Sequence, residues 1–114
     1  MNKAKELREL KAKFAMERAT TARNFELRQV ELSHQIDMAK NTLHYCNQSM
    51  RQADADVEAL KTLLDAAVEC IHELSQKKVQ LDFDRKEALI GIEVEYSRAI
   101  AALDARYSEE GGAV

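Results

Sequence analysis

An apolar residue recurs every three or four positions along most of this chain. From Ile36 to Leu74 the steps are three or four residues without exception, which is the seven-residue repeat of helices that pack along a narrow seam. A β-strand requires apolar and polar residues to alternate, and no sustained alternation occurs. The pattern therefore predicts very long amphipathic helices. The predicted seam residues are Leu7, Leu10, Phe14, Phe25, Leu32, Ile36, Ala39, Leu43, Cys46, Met50, Ala53, Val57, Leu60, Leu64, Ala67, Ile71, Leu74 and Leu81.

The composition favours helix throughout the chain. Proline is absent, and glycine occurs only at Gly91, Gly111 and Gly112. Because these two residue types supply most tight turns, the chain has little turn chemistry. Aromatic residues are 5% of the sequence and tryptophan is absent, so a bulky compact core is not expected. The predicted fold class is all-α, a long antiparallel coiled-coil-like hairpin that self-associates into a helical bundle.

The sequence places the turn of the hairpin near the middle of the chain. We predict helices over residues 3–47 and 55–108, a turn over about 48–54, and a flexible tail over 109–114. Ser49 and Gln52 fit a capping box, whereas Asp54 or Asp56 would cap the second helix instead. The alternative is one continuous helix of about 105 residues, ~160 Å long, which would need a partner along its whole length.

The apolar spacing changes in the last third of the chain. Beyond Leu81 the steps follow an eleven-residue pattern, which relaxes a left-handed supercoil and predicts a straighter helix. Gly91 lies beside this stripe, where it either permits a close helix approach or is a tolerated surface residue. The residues of this stripe are Arg85, Leu89, Ile92, Tyr96, Ile100, Leu103 and Tyr107.

One register of the hairpin leads to a prediction of an interface. If Phe14 lies opposite Leu89, and Leu7 opposite Tyr96, the last apolar residues of the second helix extend past the first helix. Such an overhang has no partner within the chain, which favours a dimer with four helices. The predicted partner and oligomer interface is Leu7, Leu10, Phe14, Tyr96, Ile100, Leu103 and Tyr107.

These observations favour a non-enzymatic protein–protein interaction module, such as an adaptor, an assembly factor or an inhibitor. No glycine-rich phosphate loop or nucleophile motif occurs, and carboxylate pairs such as Glu93 and Glu95 point to opposite faces of a helix. His44 and Cys46 likewise diverge by about 200°, so they cannot bind one metal ion together. We expect no catalytic residues, metal or cofactor.

Two other functions are compatible with the sequence. The first 30 residues contain eight Lys or Arg against four Asp or Glu, and residues 52–75 contain one Lys against six acidic residues. A basic first helix suits a phosphate backbone, so nucleic-acid binding is the alternative function. An anionic ligand held between protomers is a third hypothesis. The possible nucleic-acid contacts are Lys3, Lys5, Arg8, Lys11 and Lys13.

The sequence also bears on location. The net charge of −3 indicates no strong partner preference. The first 30 residues have no apolar core of a signal peptide, and no stretch approaches the ~20 apolar residues of a membrane span. We therefore expect a cytoplasmic protein that does not bind membranes, with Cys46 and Cys70 reduced.

Overall fold

The chain forms two long α-helices in a computed structural model that describes residues 2–112, with side chains described through residue 109. Helix α1 spans Lys3–Ser49 and helix α2 spans Val57–Gly112. The described residues contain no strand. The prediction of an all-α helical hairpin is therefore confirmed, and the single continuous helix is excluded.

The helix boundaries differ from the sequence prediction at three points. Helix α1 ends at Ser49 rather than at residue 47, and the connection covers 50–56 rather than 48–54. Helix α2 extends through Gly112, so residues 109–112 of the predicted tail are helical. Residues 113 and 114 lie outside the described residues.

Side chains with short polar groups begin both helices. The side-chain oxygen of Asn2 accepts a hydrogen bond from the backbone nitrogen of Lys5 at 3.2 Å. Asp56 accepts one in the same way from the nitrogen of Ala59, also at 3.2 Å. Each satisfies a backbone donor that the first helical turn leaves without a partner. Asp56 is thus the cap of α2, one of the two aspartates that the sequence offered.

The connection turns without glycine or proline. The backbone nitrogens of Arg51 and Gln52 donate to carbonyl oxygens three residues earlier, at 3.2 and 3.1 Å. The helix therefore ends by tightening its last turn, which uses carbonyls that would otherwise lack a donor. No described residue has a positive φ angle. The predicted capping box is wrong, because Ser49 is the last residue of α1 and accepts from Gln52 through its backbone oxygen.

The two helices pair in two compact units. The turn unit is Glu26–Phe83, and the terminal unit combines Met1–Phe25 with Asp84–Val114. In the turn unit the buried side chains lie at predicted seam positions, which confirms the seam there. They are mostly small or medium in size, as the low aromatic content led us to expect: Ile36, Ala39, Cys46, Ala67, Leu74 and Leu81. Ala53 and Val57, also predicted for the seam, are exposed because they lie in the connection and at the start of α2.

In the terminal unit Phe14 and Leu103 are the buried side chains, 5% and 8% exposed. Gly91, which also lies in this unit, has no packing role. A Cβ atom built on Gly91 would meet no atom within 4 Å, which excludes a close helix approach and confirms a tolerated surface glycine. None of the helices described has an apolar stretch that would let it cross a membrane.

Substitution of Asp56 tests its role as the N-terminal cap of α2. We expect Asp56→Ala to lower the free energy of unfolding by about 0.5–2 kcal/mol, because Ala59 N–H loses its acceptor. Urea titration followed by circular dichroism measures this change. Asp54→Ala, in the same turn, is the matched control and is expected to change stability by less than about 0.5 kcal/mol. Equal losses in the two variants would contradict the assignment of the cap.

Gly91 offers a test in the opposite direction. Alanine has a higher helix propensity than glycine, and the space around this position is open. We therefore expect Gly91→Ala to raise the free energy of unfolding by about 0.5–1 kcal/mol. A loss of stability in the same titration would show that the helix surface at this position is not free.

Candidate interaction surfaces

Aromatic packing sets the register of the terminal unit. The rings of Phe14 and Tyr96 have centroids 5.3 Å apart and planes inclined by 57°. Tilted aromatic pairs at this distance are favourable because the edge of one ring meets the face of the other. The predicted register, with Phe14 opposite Leu89, is therefore wrong by seven residues of α2.

The new register removes the predicted overhang. Leu103 is 8% exposed, Ile100 is partly buried, and the hydroxyl of part-buried Tyr107 donates a hydrogen bond to the carboxylate of Glu6. The start of α1 thus covers the segment of α2 that was expected to project. The prediction that Ile100, Leu103 and Tyr107 project past α1 is therefore wrong. All seven residues proposed for the interface are buried or partly buried within the chain, and their role in binding a partner stays a prediction. These residues are Leu7, Leu10, Phe14, Tyr96, Ile100, Leu103 and Tyr107.

A cluster of polar side chains joins the N-terminal end of α1 to the last part of α2. Glu6 accepts hydrogen bonds from the Tyr107 hydroxyl and, at 2.6 Å, from Nη2 of Arg106. Nearby, Nζ of Lys3 lies 3.0 Å from the carboxylate of Asp104. The Tyr107 hydrogen bond, with a contribution from Arg106, lowers the pKa of Glu6, and the same bond raises the pKa of Tyr107. We call Glu6, Arg106 and Tyr107 the Glu6 cluster.

A second polar contact lies farther along the terminal unit. Nη1 of Arg18 is 2.7 Å from the carboxylate of Glu93. The guanidinium of Arg18 also lies 5.7 Å from the centre of the Tyr96 ring, a cation–π distance. Arg18 therefore packs against the aromatic pair and keeps its charge compensated, although it interrupts the apolar pattern of α1.

The basic residues proposed as nucleic-acid contacts are all exposed. Lys3 pairs with Asp104, and Nζ of Lys13 lies 5.6 Å from the centre of the Phe14 ring. Lys5, Arg8 and Lys11 lie on the same helix. Nucleic-acid binding and the capture of an anionic ligand between protomers both stay predictions.

The two cysteines have very different environments. Cys46 has 0% exposure in the seam of the turn unit, whereas Cys70 is exposed, and both are free thiols. The described residues contain no group of three or more His, Cys, Asp or Glu side chains that could hold a metal ion. Nε2 of His72 lies 3.2 Å from the amide nitrogen of Gln76, one helical turn away.

An uncharged groove runs along one side of the seam in the turn unit. Its volume is about 430 Å³, and none of its lining residues is charged. Met38 and Leu63, on opposite sides of the groove, are 58% and 44% exposed. Tyr45 lies seven residues after Met38 on the same face of α1 and is 60% exposed. The groove is lined by Gln35, Met38, Ala39, Thr42, Leu63, Ala66, Ala67, Cys70 and Leu74.

A different groove of the same unit has a charged lining. Lys40, Lys78 and Asp82 line it, together with Ser75 and the seam residue Ile36. Its volume of about 510 Å³ is similar to that of the uncharged groove. The two grooves therefore differ in chemistry rather than in size.

The terminal unit has an apolar strip on the surface of α2. Ile90 and Val94, one helical turn apart, are 63% and 42% exposed. They border a shallow cavity of about 440 Å³ that also includes Glu93 and Arg98. This strip is apolar in the middle and charged at its edges.

Sequence reasoning missed these surfaces because it followed only the seam. A signal was present: Leu27, Val30, Met38 and Tyr45 are large apolar residues at positions outside the seam. Their exposure places them on surfaces that the two helices of one chain leave uncovered. Comparison with protein-family models, curated proteins and solved structures gives no match for this chain.

The Glu6 cluster makes a prediction about pH. The folded state lowers the pKa of Glu6 below its ordinary value of 4.5. The ionised carboxylate therefore stabilises the fold at pH values above 4.5. That contribution is lost as the pH falls through the lower folded pKa. We expect Glu6→Gln to reduce the melting temperature at pH 7 and to reduce it progressively less below pH 4.5.

Glu9→Gln provides the matched control, because Glu9 is an exposed glutamate one turn away on α1. The difference between its melting temperature and that of the wild type should change less between pH 7 and pH 3 than the difference that Glu6→Gln produces. A Glu6→Gln effect that changes no more with pH than the Glu9→Gln effect would contradict the role of the ionised carboxylate.

Proposed function

We propose that this protein is a non-enzymatic interaction module that binds other protein surfaces by packing them against its uncovered helix faces. The observation that supports this proposal is the imbalance between buried and exposed apolar side chains. Among the residues whose side chains are described, eight apolar residues are buried and twelve large apolar residues are 42% exposed or more.

Four of the exposed side chains are grouped on two surfaces. The uncharged groove places Met38 and Leu63 beside exposed Cys70, and the strip on α2 contains Ile90 and Val94. Single exposed apolar residues are normal on any protein, whereas contiguous patches are typical of binding surfaces. Both surfaces lie on helices, so a helical partner surface fits them best.

The apolar area of an ordinary protein interface supplies enough free energy for a stable complex. A standard protein interface buries about 1600 Å² in total, of which a little over half is apolar. At ~25 cal/mol per Å², that apolar area contributes about 20 kcal/mol before association costs. Those costs are roughly 4–15 kcal/mol, so a stable complex follows if shape and hydrogen bonding are complementary.

The class of function supported is that of an adaptor, an assembly factor or an inhibitor. In each case the protein acts by occupying a partner surface and not by transforming a substrate. The partners are expected to be proteins, including further copies of this chain.

The test combines mass measurement with partner capture. We expect the tagged protein to sediment above its single-chain mass of 12.9 kDa, to capture proteins from cells that make it, or both. Two double variants remove exposed apolar side chains: Met38→Ser with Leu63→Ser, and Ile90→Ser with Val94→Ser. At least one of these double variants should reduce the association at least fivefold. The reason is that serine removes the apolar area available for burial.

Lys40→Ser with Lys61→Ser is the control pair, since both lysines are exposed and lie in the turn unit. This pair should leave association within a factor of about two of the wild type. If the protein sediments as a 12.9 kDa monomer at every concentration and captures nothing that either apolar pair alters, the proposal is wrong.

A further inference from the structure

We propose that the uncharged groove of the turn unit binds the same groove of a second copy of this chain, so that four helices pack around a twofold axis. This inference rests on the proposed function and names the partner of one surface. The self-association surface is the groove around Met38, Ala66 and Cys70.

The absence of charge along the groove is the first argument. In a twofold contact the same patch occurs on both sides, so residues near the axis meet their own copies. A charged residue there would face a like charge, which is unfavourable in a desolvated contact. Among the grooves of the turn unit described above, the charged one contains Lys40, Lys78 and Asp82, whereas this one has no charged side chain.

The shape of the groove is the second argument. Its lining contains three alanines, Ala39, Ala66 and Ala67, and the larger side chains of Met38 and Leu63, which are exposed. Small residues between large ones form holes, and the large side chains of a second copy provide matching knobs. A self-complementary contact requires both features in one patch.

Charged residues border one end of the proposed contact, the end that lies away from the connection between the helices. Glu31 lies seven residues before Met38, and Glu73 lies seven residues after Ala66, so each continues its helix face by two turns. Both are exposed. An apolar centre with a polar border is the usual anatomy of a protein interface.

The surface area of the chain is the third argument. The chain exposes 8596 Å², whereas folded single chains of its mass expose about 6300 Å². The difference of about 2300 Å² exceeds the roughly 800 Å² that each partner buries in a standard interface. One twofold contact is therefore well within the surface that is available.

The central experiment compares two aspartate substitutions on the same helix. Leu63 lines the uncharged groove, and Val68 does not, although the two are similarly exposed at 44% and 50%. Five residues separate them, so their side chains point about 140° apart around the helix. We expect wild type and Val68→Asp to have twice the single-chain mass in light scattering, and Leu63→Asp to dissociate at least tenfold more readily.

Alkylation of Cys70 gives an independent measurement on the unaltered chain. Cys70 lines the groove and is exposed in the single chain, whereas Cys46 has 0% exposure and serves as the unreactive internal reference. We expect the rate of Cys70 alkylation by iodoacetamide to fall at least tenfold between dilute protein and protein concentrated enough to double in mass. Circular dichroism confirms that each variant remains helical, and the alkylation result stands if Leu63→Asp does not fold.

Three results would overturn the inference. They are a single-chain mass at every concentration, a dimer that Val68→Asp disrupts as much as Leu63→Asp, and a Cys70 alkylation rate that does not change on dimerisation. A chain that stays monomeric but captures another protein through Met38 and Leu63 would exclude the twofold contact and leave the proposed function intact. A monomer that captures nothing would exclude both.

Discussion

The narrow seam between α1 and α2 is the constraint on which the other features depend. Two helices in contact bury one stripe of each, and here that stripe consists mostly of small and aliphatic side chains such as Ala39, Cys46 and Ala67. Short side chains let the helices approach closely, and they leave little volume for a thick core. Any large apolar residue outside the seam therefore remains exposed unless another molecule covers it.

Specific polar and aromatic contacts determine the register of the two helices, which the seam alone does not specify. An apolar stripe with steps of three or four residues matches its partner with similar apolar burial in more than one register. In the terminal unit the Phe14–Tyr96 ring pair, the Arg18–Glu93 ion pair and the Glu6 cluster are satisfied together in one register. These contacts are individually weak at the surface, so their value is in choosing among registers of similar burial.

The function that we propose follows from what one hairpin leaves uncovered. The turn unit presents one groove without charge and another with a charged lining, and this difference has a physical consequence. Water solvates the charged lining well, so covering it has a desolvation cost. Covering the uncharged lining is favourable, because a partner removes its apolar surface from water. The same logic applies on a smaller scale to Ile90 and Val94 in the terminal unit.

The sequence by itself determined the all-α class, the hairpin and the seam of the turn unit, because helix propensity and apolar periodicity are local properties of the chain. It also limited the cap of α2 to two aspartates, of which Asp56 forms the hydrogen bond. The pairing of Phe14 with Tyr96, the burial of Leu103 and the uncharged groove around Met38 and Cys70 were decided by the tertiary structure. Register and exposure depend on which residues of two distant segments face each other, and a repeating pattern permits several answers of nearly equal apolar burial.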